Sequence, residues 1–210
     1  DLHKAIRRQR QMCIRDRIET YQQAKSQGVD ISPKKMQAEI KYNQMNIFRQ
    51  CKIGYLITGG LLLIVAFVAM FNEKRKLYTL FLLLAGLVVA VFGFHTYGMG
   101  VRWYIAGYAP WSNSYETMVY VAWATVAAGL LFARRSRITM ALATLFAGII
   151  LFVSGLNWMD PEINPLVPVL KSPWLMFHVA VIVAAYGFFG ISCLIGLTNM
   201  AVSYTHLRAH

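Results

Sequence analysis

Apolar residues along the chain fall into five long runs, over residues 54–71, 77–94, 115–133, 138–156 and 175–198, separated by short polar or turn-rich stretches. Each run is long enough to cross a hydrocarbon core of about 30 Å as a helix, the one single-segment structure that satisfies its own backbone polar groups in lipid. The pattern predicts an all-α polytopic membrane bundle of about five transmembrane helices. Ahead of it, residues 18–52 are polar and broken by Gly28 and Pro33. Within them, Met36, Ile40, Met45, Ile47 and Phe48 recur near helical spacing over 34–48, which predicts an amphipathic helix lying on the membrane surface.

Basic residues near helix ends are retained on the cytoplasmic side. Lys74, Arg75 and Lys76 lie between the first two runs, and Arg134, Arg135 and Arg137 between the third and fourth. Those connections are expected to be cytoplasmic. The other two, 95–114 and 157–174, carry one basic residue each, Arg102 and Lys171, and are expected outside. This places 18–52 outside as well, against the sign of Lys34, Lys35, Lys41, Arg49 and Lys52. A large translocated region ahead of them would account for that, because long translocated segments escape the rule.

Composition agrees with a membrane protein: 57% of the 210 residues are hydrophobic and 14% charged, with mean hydropathy +0.46, whereas soluble domains carry about 25% charged residues. The net charge of +12 is spread between apolar runs and the polar N-terminal segment rather than gathered on a soluble face, so no nucleic-acid partner is expected. Cys13, Cys51 and Cys193 form neither a Cys-x-x-Cys pair nor a metal spacing. The ends, Arg8-Gln-Arg-Gln-Met-Cys-Ile-Arg-Asp-Arg17 and Val202-Ser-Tyr-Thr-His-Leu-Arg-Ala-His210, resemble translated sequencing-adapter read-through. Residues 1–17 and 201–210 are therefore expected to be a non-native leader and tail, which removes His3, His206, His210 and Cys13 from consideration.

The two outer connections are aromatic and rich in turn residues; the second holds Trp158, Pro161, Pro165, Pro168, Pro173 and Trp174. Together they could roof a flat apolar ligand. His178, one turn inside the fifth run, has an imidazole able to hold a metal, or else is an interfacial residue bonded to a carbonyl or water. His95 reads as structural. Glu116 opens the third run, where a carboxylate is costly unless paired; it reads either as part of the helix cap set by Ser112, Asn113 or Ser114 or as a ligand or proton carrier. No phosphate loop, nucleophile elbow, His-Glu-x-x-His or paired intramembrane carboxylate is found in the sequence.

The segments Arg102-Trp-Tyr-Ile-Ala-Gly107, Pro110-Trp-Ser-Asn-Ser-Tyr-Glu-Thr-Met118 and Pro168-Val-Leu-Lys-Ser-Pro-Trp-Leu-Met-Phe-His-Val179 together resemble the CcsA/ResC-type cytochrome c biogenesis proteins of the haem-handling superfamily. The resemblance covers about residues 42–200, the CcsA-like domain falling at 53–200. Ala38-Glu-Ile-Lys-Tyr-Asn-Gln-Met-Asn-Ile-Phe48 is similar to the stretch preceding that region in fused CcsB-CcsA synthetases of System II. The resemblance implies part of a cytochrome c haem lyase that presents haem b at the periplasmic face of the bacterial inner membrane. Its partners would be an apocytochrome c with a Cys-x-x-Cys-His site and a CcsB/ResB-like half. It also implies that His178 is an axial ligand of the haem iron.

Trp111 and Trp174 are the aromatic candidates beside that ligand, and Arg102 and Lys171 the candidate partners of haem propionates. The family's Trp-Gly-x-x-Trp-x-Trp-Asp signature, second external histidine and later membrane histidine do not occur among these 210 residues. The chain is therefore expected to be a fragment, inactive by itself. The competing readings are a transporter or channel subunit for another solute, with Glu116 and His95 as pathway residues, and a membrane scaffold without chemistry.

Overall fold

The computed structural model describes residues 2–25, 33–71, 75–133, 135–156, 159, 161–163 and 172–208. The chain divides into two compact units, residues 1–41 and 42–210. Seven helices occur among the described residues: α1 (Leu2–Lys25), α2 (Pro33–Met45), α3 (Ile47–Phe71), α4 (Arg75–Ala106), α5 (Ser114–Phe132), α6 (Arg137–Ser154) and α7 (Pro173–Arg208). Five stretches are long and apolar enough to span a membrane: Pro33–Ala69, Arg75–Ala106, Ser114–Phe132, Arg137–Ser154 and Trp174–Tyr204. The five apolar runs of the sequence thus correspond to five helical spans.

Three boundaries differ from the sequence pattern. The amphipathic helix expected over 34–48 ends at Met45, because Asn46 adopts φ 45°, a left-handed conformation that asparagine tolerates better than most residues. The Gln50 amide then donates to the Met45 carbonyl at 2.9 Å, satisfying an acceptor left open by the end of α2. Ile47, Phe48 and Cys51 are buried in the bundle as the first residues of α3, not laid on a surface.

The largest departure concerns the first outer connection. Residues 95–106, read from their polar and glycine content as loop, continue α4 to a length of 32 residues, about 48 Å at 1.5 Å per residue. The helix stops at Gly107, whose φ of 75° is costly for any side chain bearing a Cβ, and whose N–H closes back on the Trp103 carbonyl at 2.9 Å. The true connection is therefore only 107–113. At the other end of the chain, α7 continues past 198 as far as Arg208, through most of the expected non-native tail.

α6 is the centre of the bundle, packed on α3 along one side and α5 along another, with Met140, Ala141, Ala143, Ala147 and Leu151 buried. Small residues permit this approach, as usual where lipid supplies no hydrophobic drive between helices. At Gly59 of α3, an added Cβ would sit 2.6 Å from the backbone nitrogen of Leu145 on α6. Several buried serine and threonine hydroxyls are satisfied within their own helices, as where Thr144 donates to the Met140 carbonyl at 2.8 Å. α7 packs mainly on α5 and leaves large side chains such as Phe189 outward, a surface suited to lipid.

Cross-bundle contacts sort the connections into two ends. The Arg137 guanidinium lies 5.4 Å from the Tyr78 ring centroid, bringing the starts of α4 and α6 together. At the opposite end, Arg102 reaches the carbonyls of Pro161 and Glu162, and Trp111 reaches α7. The basic connections thus share one end and the aromatic connections the other, as the alternation of spans requires.

Candidate functional site

The last turn of α4 carries Arg102 and the first turn of α5 carries Glu116, and the tight 107–113 connection brings them face to face. Arg102 Nε donates to Glu116 Oε1 at 2.8 Å, with both residues almost completely buried. Nη1 donates to the Pro161 carbonyl at 2.9 Å and to the Tyr42 hydroxyl at 3.4 Å, and Nη2 to the Glu162 carbonyl at 3.2 Å. The guanidinium also lies 5.4 Å from the Tyr115 ring centroid, within cation–π reach. A buried guanidinium with a carboxylate, two carbonyls and a hydroxyl around it is compensated on every side, the condition for tolerating charge in a low-dielectric site. Arg102, a candidate propionate partner from sequence, is occupied by the protein's own acceptors.

Glu116 is half of a reciprocal cap. The Asn113 side chain accepts from Glu116 N at 2.7 Å, and Glu116 Oε2 accepts from Ser112 N at 2.9 Å. Asn113 is the N-cap of α5, in extended backbone, and Glu116 places its negative charge in the first turn where the helix dipole favours it. Both carboxylate oxygens are committed, so Glu116 offers no free carboxylate to a translocation pathway of the kind a transporter reading requires. Burial, and after it the neighbouring Glu116 charge, pushes the Tyr108 phenol above its ordinary value, so this loop residue stays neutral.

Trp111, within the 107–113 connection, reaches across to α7. Its indole N–H donates to the Met176 carbonyl at 3.2 Å. Its ring meets Trp103 edge-on at 5.9 Å and Tyr120 at 5.0 Å; Tyr120 stacks on Trp123 at 5.9 Å and Trp123 on Phe92 at 5.5 Å. Five rings thus form a continuous ladder between α4 and α5. Tyr120 and Trp123 were not singled out by sequence, since each reads as an ordinary apolar position of a span. Their spacing to Trp111, nine and twelve residues on, fits no single helical period, because Trp111 lies outside the helix.

His178 stands on an exposed face of α7 and makes no hydrogen bond among the described residues. Trp174, 82% exposed, is four residues earlier and Val181 three later, so all three share one face. With Ser172, Leu175 and Phe177 they line an open, mainly apolar groove of about 630 Å³. An unpaired imidazole at the rim of an apolar aromatic groove fits the donor and surroundings that a haem iron takes. Lys171 and Trp158 lie outside the described residues.

His95 is set apart from this groove. It is fully buried on α4, its Nδ1 3.2 Å from the Tyr55 hydroxyl and its ring edge-on to Phe48 at 5.5 Å. Nε2 has no hydrogen-bond partner among the described residues.

A family model described as cytochrome c assembly protein matches residues 111–208. That match begins at Trp111 and takes in the Glu116 cap and the His178 groove. The chain is 40% identical over 185 residues to Protein NrfI of Wolinella succinogenes, covering 88% of this chain and 20% of that protein. It is 38% identical over 141 residues to the cytochrome c biogenesis protein CcsA of Prochlorococcus marinus, covering 64% and 41% respectively. To the CcsA protein of Trichormus variabilis it is 33% identical over 123 residues, covering 57% and 35%. The chain therefore spans between a fifth and two fifths of the length of these relatives. Over residues 111–208 the chain matches the cytochrome c assembly family, and with its five candidate spans it is similar to the CcsA-type cytochrome c biogenesis proteins.

Proposed function

We propose that this chain takes part in c-type cytochrome biogenesis by presenting haem b at the outer face of a bacterial inner membrane, with His178 as an axial ligand. The observation that carries the reading is the exposed imidazole of His178, without a hydrogen-bond partner among the described residues, on one helical face with Trp174 and lining an apolar groove. Haem, when bound, supplies the iron for ligation and the vinyl groups to which the Cys-x-x-Cys-His thiols of an apocytochrome c add.

The chain's own residues bind and orient. The His178 imidazole would hold the haem iron, and Trp174, Leu175 and Phe177 would offer the group apolar surface and limit water around it. Trp111 holds α7 from the neighbouring connection. Arg102 is assigned to fixing the outer connections, which leaves Lys171 as the candidate counter-charge to a propionate. The basic ends of α4 and α6 orient the bundle with 107–113 and 157–172 on the periplasmic side. A CcsB/ResB-like half, in the same chain or as a subunit, and the remaining family segments would complete the site.

The test is the visible absorption spectrum of the full-length parent protein purified from membranes. A haem band is expected that weakens in His178→Ala and returns with added imidazole. A full-strength band in that variant would refute ligation by His178.

A further inference from the structure

The ion pair at the end of α4 and the imidazole of His178 on α7 belong to different elements, yet a series of hydrogen bonds and chain links runs from the pair to the turn that carries the imidazole. Arg102 Nε holds Glu116 Oε1 at 2.8 Å. The other oxygen, Oε2, holds Ser112 N at 2.9 Å. Ser112 is the neighbour of Trp111 in the chain, and its hydroxyl donates back to the Ala109 carbonyl at 3.0 Å, closing the turn. The Trp111 indole then donates to the Met176 carbonyl at 3.2 Å, two residues before His178.

We propose that Arg102 and Glu116 are positioning residues for His178, acting through Ser112 and the Trp111 indole to fix the first turns of α7. The inference rests on the functional reading above, since it assigns His178 the task being positioned.

The physical need for such a device is visible in α7 itself. That helix packs on α5 deeper in the bundle, where Val183 and Ile191 are buried and Gly187 meets Thr125, whereas its first turns expose Trp174, Phe177 and His178. A helix end with exposed side chains and few packed neighbours frays unless something holds it. The Trp111 bond lands on that end. Trp111 is itself fixed on both sides, by Tyr120 and Trp103 through its ring and by the Glu116 cap through Ser112. A buried charge pair suits the far end of the series, because its geometry is fully determined by its acceptors and resists rearrangement in a low-dielectric site. Pre-setting a ligand side chain in this way lowers the ordering cost of binding.

The test uses the full-length protein in membranes with two variants, Trp111→Phe, which keeps the ring and removes the N–H, and Glu116→Gln. One readout needs no haem: spin labels at Tyr104→Cys and Val179→Cys, in a background with the native cysteines replaced, report the distance distribution between α4 and the first turns of α7. The second readout is haem held per folded protein, titrated with haemin. The expected result is a broadened distribution in both variants and roughly fivefold weaker haem retention in Trp111→Phe, the scale of one lost hydrogen bond, recovered by added imidazole. An unchanged distribution in Trp111→Phe overturns the positioning whether or not haem is held. Full haem retention in Trp111→Phe beside loss in His178→Ala overturns the positioning alone. Haem retained in His178→Ala overturns the functional reading instead.

Discussion

Arg102 and Glu116 lie fourteen positions apart and meet at 2.8 Å with side-chain exposures of 2% and 0%. Removing one member leaves the other buried and uncompensated, so Arg102→Leu and Glu116→Leu are each expected to cost about 3–5 kcal/mol of stability. The double variant Arg102→Leu/Glu116→Leu is expected to be less damaged than either single one, since no orphan charge remains. Thermal unfolding of the detergent-purified protein distinguishes the cases; additive losses would contradict direct pairing.

Trp174 presents its ring beside His178, and its truncation removes apolar surface without touching the ligand. Trp174→Ala is expected to reduce haem retention while keeping the spectral signature of histidine ligation, whereas His178→Ala changes that signature. Spectra of both variants at equal protein concentration decide it; undiminished haem in Trp174→Ala beside loss in His178→Ala would mean that Trp174 does not serve the site.

Topology is directly testable by labelling. In a background lacking Cys13, Cys51 and Cys193, Tyr104→Cys and Trp174→Cys are expected to react with a membrane-impermeant maleimide applied from the periplasm, and Arg135→Cys only after the membrane is opened. Protection of the first two would invert the orientation drawn from the basic connections.

Gly59 faces the Leu145 backbone with no room for a Cβ. Gly59→Val forces α3 and α6 apart and is expected to destabilise the bundle by about 1–3 kcal/mol, seen as a lower Tm in detergent. Gly60, the next residue, has no heavy atom near a built Cβ. Gly60→Ala therefore serves as a control that leaves Tm nearly unchanged.

The N-cap of α5 is held by one side chain, Asn113. Asn113→Ala is expected to lose about 1 kcal/mol and to loosen the 107–113 turn, readable as faster proteolysis between α4 and α5. Asn113→Asp, which keeps the acceptor, should restore resistance.

Much of the fold was legible in the sequence because a lipid-spanning helix is specified by a contiguous property, about twenty apolar residues without interruption. Five runs gave five spans, and basic residues marked one end of the bundle. Where one span stopped was less legible. Residues 95–106 mix His, Thr, Arg and three aromatic residues with two glycines, a composition that suits a loop as well as an interfacial helix, and only the left-handed turn at Gly107 decided between them. The amphipathic segment failed at its end for a similar reason. Ile47 and Phe48 keep the apolar spacing of the preceding helix, but the Asn46 turn carries them into the core.

The sequence by itself determined the all-helical membrane class, the number of spans and the motif containing His178, and it narrowed the cap of α5 to Ser112, Asn113 or Ser114 with Glu116 behind them. These depend on local composition or on neighbours a few residues apart. The tertiary structure alone decided that Arg102 is taken by Glu116 and two distant carbonyls, and that Trp111 binds the turn carrying Met176. It also decided that Tyr120 and Trp123 extend an aromatic ladder and that His95 faces Tyr55. Tyr120 and Trp123 are neighbours three apart on α5, but the other partners lie from 9 to 65 positions away. No periodicity along one helix encodes them, because they exist only once separate helices pack side by side.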